Sequence, residues 1–384
     1  MSTARATGTP LPPPTGAWRE GDPPGQRRWH VADKPLPLEA GGELPSVRLA
    51  FETWGRLSPD RSNAVLVLHA LTGDSHVAGT AGPGHPAPGW WDGLVGPGLA
   101  LDTERWFVVA PNVLGGCQGS TGPASPRPDG RRCWGRAFPF LTQRDQVAAE
   151  AGLADALGVE RWALVIGGSM GGMRAVEWAV SHPERTRALL LLATTAAASA
   201  EQIAWANIQL GAIRNDPHWH GGDYHATGHG PDAGLGLARR LAHITYRSEP
   251  ELANRFGRLP QGAEDPWRGG RYQVESYLDH QAAKLVRRFD AGSYVVLSEA
   301  MNSHDVGRGR GGTRAALGRV TARTLVAGVD SDRLYPLAQQ AELAALIPSA
   351  SRLRVIESPY GHDGFLTETE QVAGLVREVL GMKD

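Results

Sequence analysis

Residues 162–171 (WALVIGGSMG) join an apolar run to a G-x-S-x-G sequence, and residues 172–179 (GMRAVEWA) continue with the spacing of an amphipathic helix. The glycines on both sides of Ser169 allow the chain to turn sharply, which lifts the serine hydroxyl clear of the preceding strand. The turn also places a helix N-terminus beside that hydroxyl. This stretch therefore predicts a strand, a tight turn and a helix, with a nucleophilic Ser169 in the turn.

A strand that turns through G-x-S-x-G into a helix is the nucleophile elbow of the α/β-hydrolase fold. The surrounding chain fits that fold class. Apolar runs predict buried parallel strands at 64–70, 106–110, 162–166, 188–193, 323–327 and 353–356. Helical patterns at 142–157 and 170–181 fit right-handed crossovers, and the alternating segment 41–54 predicts an early antiparallel edge strand. We predict an α/β protein with a mostly parallel central sheet flanked by helices.

The strand pattern stops after residue 193 and resumes at 323. Helical stretches fill the gap, at 201–213, 234–245, 274–289 and 293–301. An insertion at this place in the chain lies above the carboxyl ends of the strands, where open α/β sheets have their active sites. We predict a core formed by residues 29–193 and 320–384, a helical lid formed by 194–319, and a disordered or loosely attached Pro/Gly-rich leader at 1–28.

The bulk composition argues against several classes of protein. The formal net charge of the 384 residues is −1, without a long basic run, which disfavours a nucleic-acid binder. No run approaches 18 consecutive apolar residues, so no membrane span is predicted. The N-terminus lacks the apolar core of a signal peptide, and the two cysteines, Cys117 and Cys133, are expected to be free thiols. We expect a cytoplasmic enzyme that acts on small molecules.

A serine hydroxyl becomes a good nucleophile when a base takes its proton and an acid holds that base in one tautomer. In this fold the three residues follow the order Ser, Asp or Glu, His. Among 13 histidines, His362 follows the last predicted strand, on the face where Ser169 emerges, and we predict it to be the base. Asp330 and Asp332 both follow the strand at 323–327, and their spacing alone leaves both open as the acid.

An oxyanion hole requires two backbone N–H groups, one from the residue after the nucleophile and one from the loop after an early strand. Met170 and Leu71 occupy these positions. His69 and His76, on either side of Leu71, are interpreted as packing or surface residues. No clustered ligand spacing suggests a metal site, so none is predicted.

Several blocks of sequence carry a resemblance to a known family. They are 71–79 (LTGDSHVAG), 112–123 (NVLGGCQGSTGP), 167–178 (GGSMGGMRAVEW) and 360–366 (YGHDGFL), with 244–248 (ITYRS) and 274–278 (VESYL) in the lid. From about Arg28 to the C-terminus, the chain resembles the homoserine O-acetyltransferase family. The aspartate of that family's D-S-D-R-L-Y-P block falls on Asp332, so the resemblance implies that Asp332 rather than Asp330 is the acid.

The resemblance also implies contacts with an amino-acid substrate. The family's carboxylate-binding arginine falls on Arg239, with Arg240 beside it as the alternative, and its amine-binding aspartate falls on Asp363. Tyr246 is expected to line the same pocket. A guanidinium facing a carboxylate and an acid facing an ammonium group are the pairs that an amino acid requires.

The reaction implied by the resemblance is ping-pong transfer of an acetyl group from acetyl-CoA, through an acyl-serine, to the hydroxyl of L-homoserine. The product is O-acetyl-L-homoserine, a methionine precursor. Acetyl-CoA would be a co-substrate, with no permanently bound cofactor, and the protein would form a homodimer through its lid. The alternatives are a succinyl-CoA donor, a serine acceptor, or an esterase or other hydrolase with the same three residues. The 71–74 loop (LTGD) looks more like that of acetyl users than of succinyl users.

Overall fold

A computed structural model describes residues 14–382. Its centre is a sheet of eight strands: β1 Arg28–Val31, β2 Arg48–Trp54, β3 Ala64–Leu68, β4 Phe107–Pro111, β5 Leu164–Gly168, β6 Ala188–Leu192, β7 Arg323–Val329 and β8 Arg354–Ile356. The strand order is β1-β2-β4-β3-β5-β6-β7-β8. β1 and β2 are antiparallel to their neighbours, and the other neighbouring strands run parallel. The predicted α/β-hydrolase fold is confirmed.

The central strands are buried over their whole length because helices cover both faces of the sheet. Ile166 of β5 pairs in register with Val67 of β3 on one side and with Leu190 of β6 on the other. The six predicted parallel strands are all present. The predicted antiparallel strand is also present as β2, but it is not the edge, because β1 lies outside it and pairs with it.

Eleven α-helices lie within residues 14–382, together with five short 3-10 helices. They are α1 Gln143–Ala156, α2 Met170–Ser181, α3 Ala200–Arg214, α4 Asp232–Tyr246, α5 Glu249–Phe256, α6 Gln273–Val286, α7 Ala291–Asn302, α8 Thr313–Leu317, α9 Leu337–Leu346, α10 Gly364–Thr367 and α11 Thr369–Leu380. Helices α3 to α8 lie between β6 and β7, where the lid is predicted. Side-chain capping begins several of them, as where Ser199 accepts a hydrogen bond from the Gln202 amide at the start of α3.

The lid has an apolar cluster of its own, which joins α3, α4, α6 and α7 and reaches Met170 of the core. The connection from α7 to α8 is attached to the core by two arginines. Arg308 lies 2.8 Å from Glu39, and Arg310 lies 2.5 Å from the buried Glu177. Charge-assisted bonds of this kind hold the lid in a fixed position above the sheet.

The N-terminal segment departs from the predicted loose leader. Residues 1–13 lie outside the described part of the chain, but residues 14–28 contact both the core and the lid. The Trp18 amide donates to the Cys117 carbonyl at 2.9 Å, and the buried Arg27 donates to the Gly84 carbonyl and to Gln118 at 2.9 and 3.1 Å. Composition indicated a leader because Pro and Gly are poor helix and strand formers, yet these residues are held by individual hydrogen bonds instead.

In the part of the chain from 14 to 382, no helix combines the length and the apolar character that crossing a membrane requires.

Candidate active site

Ser169 occupies the tight turn between β5 and α2. Its φ of 54° and ψ of −125° lie in a region that non-glycine residues rarely adopt. The surrounding structure fixes this conformation, because the Ser169 amide donates to the Leu192 carbonyl at 3.0 Å and the Thr194 hydroxyl donates to the Ser169 carbonyl at 2.9 Å. Backbone strain that is held from outside in this way is characteristic of functional sites.

The glycines around Ser169 are required by close packing. A Cβ atom on Gly168 would lie 2.3 Å from the ring of Phe365, and one on Gly171 would lie 2.0 Å from the Leu68 carbonyl oxygen. Neither neighbour can withdraw, since both belong to the buried core. The G-x-S-x-G sequence therefore lets the elbow pack directly against β3 and against the helix that follows His362.

A buried ion pair fixes α2 relative to the neighbouring loop. Arg174, which is fully buried, lies 2.5 Å from Glu150 of α1 and donates to the His69 carbonyl at 2.6 Å. The ring of His69 accepts a hydrogen bond from the Val113 amide, and burial lowers the pKa of His69 to about 3. His69 is thus a neutral packing residue, in agreement with its interpretation from sequence.

The acid and the base predicted from sequence lie in direct contact. One carboxylate oxygen of Asp332 lies 2.6 Å from Nδ1 of His362, and the other accepts hydrogen bonds from the Leu334 and Tyr335 amides at 2.8 and 2.9 Å. Asp330 instead accepts a hydrogen bond from the Ser358 amide at 3.0 Å. The structure therefore distinguishes Asp332 from Asp330, which their spacing in the sequence could not do.

The His362 imidazole is buried among aromatic rings. Tyr335 stacks on it at a centroid distance of 4.8 Å, Phe365 meets it edge-on at 5.4 Å, and Tyr246 lies 5.9 Å away. The contact between Nδ1 and Asp332 assigns the ring proton to Nδ1, which leaves Nε2 with its lone pair free. Within residues 14–382, Nε2 has no hydrogen-bond partner, and Ser169 does not bond to it directly. Catalytic hydrogen bonds often tighten only when a substrate is bound.

The two predicted oxyanion donors lie shortly after the carboxyl ends of β5 and β3. Met170 is the first residue of α2, and Leu71 lies in the loop after β3. Neither backbone N–H donates to another group of the described chain. Two free amides beside a nucleophile are the arrangement that stabilises a developing oxyanion.

Arg239 and Arg240 point in different directions. Arg240 lies 2.7 Å from Asp279 of α6 on the surface of the lid. The Arg239 guanidinium lies 5.7 Å from the centre of the Tyr246 ring and 3.4 Å from the Thr72 hydroxyl, next to Leu71. The structure therefore places Arg239, and not its neighbour, at the site.

Asp363 lies beside His362 and contacts an arginine that the sequence did not single out. One of its carboxylate oxygens is 3.2 Å from Arg247. Burial raises the pKa of Asp363, and the nearby Arg247, His362 and Arg239 act in the opposite direction. Arg247 belongs to the 244–248 block (ITYRS). Its basic side chain was the feature of the sequence that could have identified it as a partner of an aspartate. Asp363 and Arg239 thus both lie near Tyr246, with Arg247 as the direct ionic partner of Asp363.

Two further residues at the site were not predicted from sequence. Arg288 donates to the Thr72 carbonyl at 2.9 Å and so holds the loop that contains Leu71. Tyr335 lines the site beside His362. Both were missed because their roles depend on contacts between distant segments, which no local pattern reveals.

An apolar cavity, partly open to solvent, adjoins the site beneath the lid. It reaches Leu71, Tyr246 and Tyr335, and its other walls include Met173, Trp205 and Met301. Only neutral side chains of the described chain line this cavity. The site therefore combines a charged side, at Arg239 and Asp363, with an uncharged one.

One buried group of potential metal ligands lies within the described residues. Glu52, His76 and His85 are close enough to hold an ion. Each is engaged in hydrogen bonding: Glu52 accepts from Ser75 and contacts His76 at 3.0 Å, and His85 accepts from the Gln26 amide. This arrangement anchors the N-terminal segment, and the prediction that the protein uses no metal stays a prediction.

The fold and the elbow define an enzyme with the α/β-hydrolase fold. A family model described as the alpha/beta hydrolase fold matches residues 63–369. The homoserine O-acetyltransferase of Thermobifida fusca is 69% identical over 373 residues, which cover 97% of this chain and 98% of that protein. The chain belongs to the homoserine O-acetyltransferase family, as the sequence resemblance predicted.

Solved structures place the same fold in both transferases and hydrolases. The homoserine O-acetyltransferase of Bacillus anthracis superimposes with a TM-score of 0.84 at 27% identity, covering 93% of this chain and 98% of that one. A structure named esterase E22 superimposes with a TM-score of 0.83 at 25% identity, covering 92% of this chain and 100% of that one. The fold is therefore shared by enzymes with different acyl acceptors.

The two aspartates after β7 provide a matched mutational test. We expect Asp332→Asn to lower kcat by about 10⁴-fold, because an amide at this place no longer holds His362 in the productive tautomer. Asp330→Asn keeps an oxygen for the Ser358 amide, and its kcat should stay within about threefold of the wild type. Steady-state kinetics of both variants measures this difference. A large loss in Asp330→Asn with normal activity in Asp332→Asn would reverse the assignment.

Proposed function

We propose that this protein transfers the acetyl group of acetyl-CoA to the hydroxyl of L-homoserine through an acyl-serine, giving O-acetyl-L-homoserine for methionine biosynthesis. The contact between Asp332 and His362 beside the Ser169 elbow supports acyl-serine chemistry, and the charged side of the site is the observation that carries the choice of a transferase over an esterase. The opposite charges of Arg239 and Asp363 on one side of the same site support an amino acid as the acceptor.

The first half-reaction forms the acyl-serine. Nε2 of His362 takes the proton of the Ser169 hydroxyl as its oxygen attacks the thioester carbonyl carbon. The negative charge that develops on the carbonyl oxygen is stabilised by the amides of Leu71 and Met170. The carbon–sulfur bond then breaks, and the CoA thiolate leaves with the proton that His362 returns.

The second half-reaction transfers the acetyl group. The carboxylate of homoserine binds Arg239, and its ammonium group binds Asp363, of which one oxygen already contacts Arg247. Held in this way, the homoserine hydroxyl gives its proton to Nε2 of His362 and attacks the acyl carbon. The bond to Ser169 breaks, Ser169 recovers a proton from His362, and the ester product is released.

The cavity beneath the lid supports acetyl over succinyl as the transferred group. Its walls are neutral, so the free carboxylate of a succinyl group placed there would be buried without a cation. Burying an unpaired charge is strongly unfavourable. An acetyl group and the uncharged arm of CoA carry no such cost.

An esterase is the main alternative, because water attacking the same acyl-serine would need no further catalytic group. Arg239 and Asp363 favour the transferase, since a small ester substrate requires neither. Within residues 14–382 the guanidinium Nε of Arg239 is buried without a partner, which leaves it available to a substrate carboxylate.

We further propose a homodimer formed through the lid. Four exposed apolar side chains lie on two helices that pack against each other, Ile203 and Ile208 on α3 and Leu237 and Ile244 on α4. Exposed apolar side chains on neighbouring helices favour burial against a partner. A second copy presenting the same face would cover them by two-fold symmetry.

A cytoplasmic location is proposed as well, supported by the free thiols of Cys117 and Cys133.

Release of the CoA thiol tests the proposed reaction. The purified protein is given acetyl-CoA or succinyl-CoA, each with L-homoserine, L-serine or no acceptor. We expect sustained release with acetyl-CoA and L-homoserine together and none from Ser169→Ala, which removes the attacking oxygen. Sustained release without an acceptor would establish a hydrolase, and a preference for another pair would change the substrates.

The adjacent arginines of α4 test the acceptor site. Arg239→Met should raise the KM for homoserine by about 10- to 100-fold, as expected for loss of a charge-assisted hydrogen bond, with a change of less than about threefold in the KM for acetyl-CoA. Arg240→Met removes only a surface pair and should behave like the wild type. Equal rises in both KM values for Arg239→Met would remove it from the acceptor site.

The oligomeric state tests the lid surface. Light scattering should give a mass twice the 41.0 kDa of the chain for the wild type and a single-chain mass for Ile208→Asp, because the interface cannot bury the new charge without a partner. Val31→Asp, at an exposed position of β1, is the matched control and should remain dimeric. A wild-type protein of single-chain mass would contradict the proposed dimer.

A further inference from the structure

Arg247 forms an ion pair that joins the lid to the core beside the proposed acceptor site. It lies between α4 and α5, and one nitrogen of its guanidinium is 3.2 Å from one carboxylate oxygen of Asp363, in the loop after β8. Both side chains are largely buried, with exposed fractions of 15% and 18%. Within residues 14–382, no other basic side chain forms an ion pair with Asp363.

We propose that Arg247 is a positioning residue that directs the Asp363 carboxylate toward the ammonium group of the acceptor, so that the enzyme selects an amino acid over a hydroxy acid that lacks the amino group. This inference rests on the proposed transfer to homoserine and deepens it, because it assigns the recognition of the amine to an ion pair and not to Asp363 alone. Arg247 acts through Asp363 and does not touch the acceptor itself.

The backbone segments that carry the two residues pack directly against each other. Gly361 has a φ of 66°, and a Cβ atom at this position would lie 2.5 Å from the Tyr246 carbonyl oxygen. The Ser248 hydroxyl donates to the Pro359 carbonyl, which adds a second link between the end of α4 and the loop after β8. Because both links flank the ion pair, its side chains have little room to separate.

The Arg247 guanidinium is oriented by a second acid and by an aromatic ring. Glu251 of α5, which is 6% exposed, lies 3.8 Å from one guanidinium nitrogen, and the centre of the Tyr360 ring lies 5.8 Å from the guanidinium carbon. Glu251 is also 3.4 Å from the more exposed Arg255. These neighbours hold the guanidinium in place before a substrate arrives, so Asp363 meets a cation of defined position.

The ion pair leaves part of the Asp363 carboxylate for a ligand. Arg247 contacts one of its two oxygens, and in the described chain the other makes no ion pair. Arg239 also lies near Tyr246, but among residues 14–382 it forms no ion pair with Asp363. Such a pair would occupy both of the groups that bind an amino-acid acceptor. By engaging Asp363 from the lid, Arg247 competes with it and keeps the acceptor site open.

Arg247 also favours the charged form of the Asp363 carboxyl. Burial raises the pKa of Asp363, and the charge of Asp332 acts in the same direction. The Arg247 guanidinium opposes this rise in the pKa more strongly than His362 or Arg239 does. A carboxylate binds an ammonium group more strongly than a neutral carboxylic acid does. The ion pair therefore supports both the orientation and the charge that recognition of the amine requires.

Two acceptors that differ only by the amino group test the proposal. γ-Hydroxybutyrate is homoserine without its ammonium group, so the ratio of kcat/KM for L-homoserine to that for γ-hydroxybutyrate measures recognition of the amine. The ratio is determined from CoA release with acetyl-CoA for the wild type, Arg247→Met and Arg247→Lys. Arg255→Met is the matched control, because Arg255 contacts Glu251 and forms no ion pair with Asp363 in the described chain.

We expect the wild type to prefer L-homoserine and Arg247→Met to lower that preference by about tenfold, as for the loss of one coupled pair of contacting residues. The loss should fall on kcat/KM for L-homoserine. Arg247→Lys keeps a cation without the planar fork and should recover part of the preference. Arg255→Met should match the wild type. The burst of p-nitrophenol from p-nitrophenyl acetate, which needs no acceptor, shows that the catalytic centre of each variant is intact.

Two results would overturn the proposal. An unchanged preference in Arg247→Met would show that the ion pair does not serve recognition of the amine, and equal losses for both acceptors would show that Arg247 serves the structure alone. If Arg247→Met does not fold, Arg247→Gln, which keeps a polar side chain and removes the charge, decides in its place. A wild-type protein that does not transfer acetyl to homoserine would contradict the proposed function and this inference together. An unchanged preference in the variants contradicts only the inference.

Discussion

The strained turn at Ser169 is the constraint on which the rest of the structure depends. A serine with a φ of 54° persists only where neighbouring groups hold it, and here they come from three directions. β6 accepts its amide hydrogen, the side chain of Thr194 binds its carbonyl, and glycines at 168 and 171 allow Phe365 and Leu68 to pack against the turn. Because β5 lies near the middle of the sheet, between β3 and β6, the segments that leave neighbouring strands converge on this point.

The site has a charged side and an uncharged side because different segments converge on Ser169. The lid contributes Arg239 and Tyr246 on one side, and the loop after β8 contributes Asp363, so charged groups gather where the two meet. The cavity formed largely by α3 and α7 is uncharged. In the proposed reaction, the acyl donor would meet the uncharged part of the site and the amino-acid acceptor its charged part. Each would then approach the same serine through different contacts, which suits a two-step transfer.

The sequence predicted the parallel strands, the elbow and the position of the lid because each is encoded locally, in apolar runs and in the spacing around Ser169. It also predicted His362, which follows the last strand. It did not separate Asp330 from Asp332, since both follow the same strand and only the three-dimensional path of the loop directs one of them at His362. Arg247, Arg288 and Tyr335 were missed for a related reason. Their partners lie in distant segments, and the same residue types are common on surfaces. The attachment of residues 14–28 was hidden by a composition typical of disorder.

That attachment has a consequence for how the chain acquires its native state. The Thr15 hydroxyl donates to Asp290, a residue 275 positions later, and the Gln118 side chain donates to the carbonyl of Arg288. Arg288 in turn holds the Thr72 carbonyl beside Leu71. During synthesis on the ribosome, Thr15 therefore lacks its partner Asp290 until about three quarters of the chain has emerged. The loop that carries Leu71 gains its last support at the same moment. Completion of the reactive centre is thus a late step of biogenesis, and the enzyme stays inactive while it is still being translated.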